Sequence, residues 1–166
     1  TSPTSFTDNG IAPFSWDEAA IQITRTGASW ASSFGASTVV TYSYRSTAPA
    51  TMPDDTAGFS RFSAAQIAAT EAALAAWAAV ANITFVRVND GDGYSNNAAI
   101  VFGNYSSGAD GAAAFAYLPS SGATASSSAQ GDVWINVTLS YNANPVMGDY
   151  GPQVLLHEIG HALGLG

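Results

Sequence analysis

The spacing of apolar residues changes several times along the chain, and each change marks an element. Residues 39–47 are rich in β-branched and aromatic side chains and read as a strand. At Ser63 the period becomes helical. Ser63-Ala-Ala-Gln66 is a capping box, Phe62 and Ile67 stand at hydrophobic-staple spacing, and the alanine-rich run to about Ala81 favours helix. Ile67, Leu74, Trp77 and Ala81 form one stripe, expected to pack on a sheet. Residues 83–88 predict a second strand, with Ile83, Phe85 and Arg87 on one face. Residues 98–105 predict a third, whose Ile100-Val101-Phe102 run suggests burial on both faces. Residues 112–118 predict a fourth, closed by Pro119. Residues 132–139 predict a fifth, with Val133, Ile135 and Val137 on one face.

Polar punctuation fills the gaps. Residues 1–14 read as an irregular lead-in. Ser15-Trp-Asp-Glu18 is a further capping box, opening a short helix to about Arg25 that ends near Gly27. Residues 47–58, 120–130 and 140–151 read as loops, and Pro152 suits the first position of a last helix. Asn89-Asp-Gly-Asp-Gly93 resembles the start of a calcium loop, but the rest of that pattern is missing and a plain turn is the better reading. There is no internal repeat. The element order predicts an α/β domain, a sheet with helices packed on it.

Composition narrows the classes. A chain of 166 residues fits one domain. It is 47% hydrophobic and 10% charged, with formal net charge -8 and a pI near 4.2. Its four basic residues are all arginines, so nucleic acid and membrane surfaces are poor partners. The absence of cysteine excludes disulfides and thiolate metal ligands. No run approaches the ~18–20 apolar residues of a membrane span. The N-terminus shows no secretory signal, so either none was used or it has been removed.

The chemistry lies in the last ten residues, His157-Glu-Ile-Gly-His161-Ala-Leu-Gly-Leu-Gly166. His157 and His161 are one helical turn apart on one face, where two imidazoles can bind one zinc ion. Glu158, about a quarter turn round, can reach a water on that metal and act as general base. The plainer alternative is an ordinary polar helix face. Against it, the chain has only two histidines and both fall here. Leu155, Leu156, Ile159 and Leu163 also predict a buried segment, in which imidazoles and a carboxylate need partners. Gly164 is placed to end the helix in the left-handed conformation.

The motif His-Glu-x-x-His-x-x-Gly resembles the metzincin zinc peptidases. Other segments narrow the resemblance to the serralysins, secreted bacterial zinc endopeptidases. They are Ala19-Ala-Ile-Gln-Ile-Thr-Arg25, Ser29-Trp30, residues 75–85, Ile100-Val-Phe-Gly-Asn-Tyr105, Ala116-Tyr-Leu-Pro119 and Gly131-Asp-Val-Trp-Ile-Asn136. The resemblance implies a zincin-like N-terminal subdomain: a twisted five-stranded mixed sheet with an antiparallel edge strand. It implies His157 and His161 as zinc ligands and Glu158 as base. It implies that Ala113, Ala114, Phe115, Ala116 and Tyr117 bind an extended peptide substrate by strand addition.

Some parts of the family pattern fall outside the chain. The third histidine would stand at position 167. The methionine turn and its following tyrosine are missing, since Met52 and Met147 both precede the zinc helix. The calcium-binding repeats, where calcium is expected, are missing too. The chain is thus expected to be the N-terminal part of a catalytic domain. Two functions stay open. One is a zinc endopeptidase needing residues beyond Gly166 for full activity. The other is an inactive fragment that binds a peptide or the complementing C-terminal polypeptide.

Overall fold

The computed structural model describes residues 16–24, 26–33, 35–119 and 130–166. The lead-in, the Ser15 cap, Arg25 and most of the 120–130 loop lie outside them. Strand β1 (Thr38–Tyr44) runs parallel to β2 (Ile83–Arg87) on one side and to β3 (Ile100–Tyr105) on the other. β5 (Val133–Asn136) runs parallel to β3, and β4 (Ala114–Ala116) closes that side antiparallel to β5. The order is β2-β1-β3-β5-β4, the expected five-stranded mixed sheet.

Among the described residues, four α-helices accompany it: α1 (Trp16–Ile23), α2 (Ala64–Val80), α3 (Ser140–Ala143) and α4 (Tyr150–Ala162). Both halves of the Ser63–Gln66 capping box form at the start of α2. Leu74 of α2 and Val154, Leu155 and Ile159 of α4 join Tyr44, Phe102 and Ile135 of the sheet in one buried cluster. That burial is the main force holding α4 in place, because each large apolar side chain removed from water contributes roughly 1.5–3 kcal/mol. The two helices meet closely at Gly160, where an added Cβ would stand 3.1 Å from the Trp77 ring. The Trp77 indole N–H also donates to the Leu156 carbonyl at 3.0 Å.

Several expectations need correction. The buried side of α2 carries Gln66, Ala69, Thr70, Ala73 and Leu74, with Ile67 and Trp77 at its margins and Ala81 outside as the C-cap. Polar Gln66 goes inside because its amide is matched there. It exchanges hydrogen bonds with the Asn104 amide at 2.8 and 3.0 Å and donates to the Asn142 carbonyl at 3.1 Å. Residues 140–151 are not a simple loop, since α3 forms within them. Its Asn142 donates to the carbonyls of Ala113 and Asn136, tying the helix to the sheet. Pro152 is the third residue of α4, not the first. A proline is tolerated throughout the first turn, where N–H groups have no intrahelical acceptor. β5 ends at Asn136, short of the expected Leu139, and is buried on both faces, with Trp134 under Arg45 and Phe59. The segment at 89–93, by contrast, is the plain turn expected, closed by Asn89 accepting from the Gly91 N–H and Asp92 from the Tyr94 N–H.

On that second face Arg45 and Asp132 pair at 2.6 Å, their side chains only 12% and 6% exposed. Burial pushes the Asp132 carboxyl up to about 7, against the pull of the Arg45 guanidinium. A folded-state pKa above the unfolded value means that the folded chain holds the proton longer. Its contribution to stability is therefore full below the ordinary value of 3.8 and is lost as pH rises towards 7. Urea denaturation across that window should show wild type losing stability relative to Asp132→Asn as pH rises; an unchanged gap, or wild type gaining on the variant, rejects the assignment. In the polar cluster, Gln66→Leu removes the donor to the buried Asn104 Oδ1, while the Asn104 N–H keeps the Arg61 carbonyl. It should lower stability by about 2 kcal/mol in the same assay.

Candidate metal centre

α4 carries the chemistry at its carboxyl-terminal half, and its placement follows from its sequence. Val154, Leu155, Ile159 and Ala162 face the core. The remaining arc presents Tyr150, Gln153, His157 and His161 at helical spacing. The expectation that both histidines are buried is not met. His157 is exposed and His161 half-buried, while Glu158 is 8% exposed. The histidines stand on the rim of the core, and only the carboxylate between them is drawn inward.

The two imidazoles meet edge to face, Nε2 to Nε2 at 3.0 Å. Bare lone pairs at that distance repel, so a proton or a cation belongs between them. The other nitrogen of His161 decides how. Its Nδ1 lies 2.7 Å from the Leu165 carbonyl, which can only accept. The His161 proton therefore sits on Nδ1, and its Nε2 lone pair faces His157. This is the tautomer a metal-binding histidine needs, oriented by a backbone carbonyl as such ligands usually are. Two nitrogens each ~2.0–2.1 Å from a tetrahedral zinc stand roughly 3.3 Å apart, so the observed spacing suits zinc with a small adjustment. Among the described residues, no third histidine or carboxylate joins the pair.

Glu158 turns into a cleft of about 350 Å³ shared with His157, Tyr150, Gln153, Val154, Ala113 and Ala114. Burial raises its carboxyl above the ordinary value, and the neighbouring histidines pull it back. The cleft thus unites the α4 residues with the start of the edge strand, 43 positions apart from Ala114 to His157. Sequence reading missed Tyr150, Gln153 and Val154. Their spacing of seven, four and three residues before His157 was the available signal.

Of the five edge-strand candidates, Ala113 and Ala114 line this cleft. Phe115 instead faces a separate hollow bordered by Asp54, Asp55 and Asp110. Ala113 and Tyr117 turn backbone groups towards β5: the Asn136 N–H donates to the Ala113 carbonyl and the Tyr117 N–H to the Asp132 carbonyl. Antiparallel alternation then leaves the N–H and C=O of Ala114 and Ala116 pointing off the sheet. The start of the strand is fixed from behind. Tyr105 and Asn136 both donate to the Ala112 carbonyl. Burial and the Glu158 carboxylate push the Tyr105 phenol up to about 12, which keeps it a donor.

The helix ends in a Schellman turn. Leu165 N–H donates to the Gly160 carbonyl at 3.0 Å and Gly164 N–H to that of His161 at 2.9 Å. Gly164 has φ +106, and a Cβ there would overlap the Ala28 carbonyl, so no other residue fits. The segment before β1 clasps this turn, as Trp30 Nε1 donates to the Ala162 carbonyl at 2.7 Å and Thr26 Oγ1 to that of Gly164 at 2.9 Å.

Comparison with known proteins accords with this arrangement. The family model described as Matrixin matches residues 38–166. Metallopeptidase AprA of Pseudomonas marginalis is 41% identical over 167 residues, covering 97% of this chain and 33% of that protein. Serralysin A of Dickeya chrysanthemi is 42% identical over 96% of this chain and 33% of its own length, and a serralysin C of that organism gives the same figures. The chain therefore spans about a third of the length of these curated relatives. The matched region takes in the sheet and α4 alike, and on that extent the chain belongs to the matrixin family, as a metzincin of the serralysin type.

Proposed function

We propose that this chain is part of a secreted zinc endopeptidase, in which His157 and His161 hold the metal and Glu158 is the general base. The observation that carries the reading is the pair of facing Nε2 atoms beside a buried carboxylate in one cleft. The chemistry a zinc ion supplies when bound is Lewis acidity, which activates water and polarises a carbonyl near neutral pH.

The chain's own residues do the rest. His161, fixed through Nδ1 by the Leu165 carbonyl, keeps its Nε2 lone pair directed at the site. His157 completes the pair from one turn back. Glu158 takes a proton from water at its carboxylate and returns it to the leaving amine. Its burial keeps bulk water away and raises its basicity towards the range useful for that transfer. Catalytic zinc usually has three protein ligands. With only two histidines in the sequence, full activity is assigned to the larger protein of which the relatives give the scale.

The substrate is a polypeptide lying extended along β4. Its backbone would pair with the outward groups of Ala114 and Ala116, placing the scissile bond over the cleft. Ala114 and Ala116 carry only methyl groups and impose little sequence preference, while Phe115 faces the separate hollow. No described helix is long and apolar enough to cross a bilayer. Secretion rests on the likeness to serralysins.

Peptidase assay and zinc stoichiometry, on this chain alone and complemented with the C-terminal part found in its relatives, test the reading. In the complemented protein, Glu158→Gln should cut turnover by about 10²–10⁴-fold while zinc content stays near one per chain. Unchanged cleavage removes Glu158 from the role. Ala114→Pro deletes an outward N–H from an edge strand, where proline is tolerated. It should raise KM for long peptides about 10-fold, one hydrogen bond's worth, with kcat little altered. An unaltered KM means that substrates do not bind along this edge.

A further inference from the structure

We propose that Thr26 and Trp30 are positioning residues for the histidine pair, acting through the turn that follows α4. The inference rests on the metal-centre reading and adds a part of the chain that carries none of the motif. Its basis is a relay of hydrogen bonds. The tautomer of His161 is set by the Leu165 carbonyl, 2.7 Å from Nδ1. Leu165 lies outside the helix, beyond a left-handed glycine, so its carbonyl direction depends on how the turn is held.

Helix ends expose their last carbonyls, and here the last of them and one in the turn beyond are occupied from outside. Trp30 donates to Ala162 and Thr26 to Gly164, the residues on either side of the turn. A third link runs the other way, from the Gly166 N–H to the Ile23 carbonyl at 2.9 Å. The clasp therefore spans Leu165 on both sides. Trp30 is also wedged from behind, since a Cβ on Gly131 would stand 2.6 Å from its ring. Gly131 opens the segment leading into β5 and donates its N–H to the Tyr117 carbonyl. One indole thus touches both the end of α4 and the glycine that leads into β5.

Without the Thr26 hydroxyl, the Gly164 carbonyl loses its partner and the turn can rotate. The Leu165 carbonyl then no longer holds the proton on Nδ1, and His161 spends part of its time with Nε2 protonated, a form whose Nε2 cannot join His157 on a cation. Groups that orient metal-binding histidines typically change metal affinity by about 10–100-fold. A residue one step further out should sit at the low end, about 10-fold.

The test compares Thr26→Val, Thr26→Ser and Trp30→Phe in the full chain. Long-range nitrogen NMR reads the His161 tautomer in the metal-free protein at about pH 8, above the usual imidazole range. Chelator competition reads zinc affinity. Wild type and Thr26→Ser should show the Nδ1–H form, while Thr26→Val and Trp30→Phe show mixed tautomers and zinc binding about 10-fold weaker, with unchanged circular dichroism. Folded Thr26→Val with a wild-type tautomer and affinity overturns the proposal. If Trp30→Phe fails to fold, the Thr26 pair decides alone. Failure of the metal reading itself looks different: wild type would take up no zinc, yet the tautomer comparison would still report on the clasp.

Discussion

Two imidazole nitrogens 3.0 Å apart, on side chains of one helical turn, need a positive charge or a shared proton between them. Most of the fold can be read as the means of keeping that demand in force. A free helix would let the rings swing apart into water. Here α4 is sealed to the sheet by Val154, Leu155, Ile159 and Ala162, and to α2 through the contact between Gly160 and Trp77. The apolar face fixes the rotation of the helix, and the rotation fixes where the histidines point.

The same sealing explains why the carboxylate differs from its neighbours. Glu158 is one residue from His157, yet it lies towards the core while His157 faces solvent. A shift of one position on a helix moves a side chain by about 100°. That is enough to separate an exposed imidazole at the rim from a carboxylate drawn towards the core. The polar residues behind β4 complete the arrangement. Asn136, Asn142 and Tyr105 hold the carbonyls of Ala112 and Ala113, so the strand beside the cleft is set by side chains from three other elements.

Local signals were legible in the sequence. The Ser63–Gln66 cap, the two histidines one turn apart and the all-buried β3 each express a spacing or a short pattern, and each forms as read. Less legible was anything that required a distant partner. Gln66 is buried only because Asn104 and the Asn142 carbonyl meet it, 38 and 76 residues away. The bonds of Trp30 and Thr26 span 132 and 138 residues. The histidines are more exposed than the surrounding leucines suggested, because Leu155 faces inward while Leu156 stays 39% exposed. Counting apolar neighbours in a helix does not say which side of it they occupy.

The alanines of β4 carry a consequence of their own. Methyl groups grip almost nothing, so on the proposed reading recognition falls to main-chain atoms that every polypeptide possesses. Selection would then rest on posture: a target segment must lie straight and be free of its own structure for a few residues. Compact proteins would be spared by their folding, and unravelled ones exposed, with no need for the cleft to tell one sequence from another.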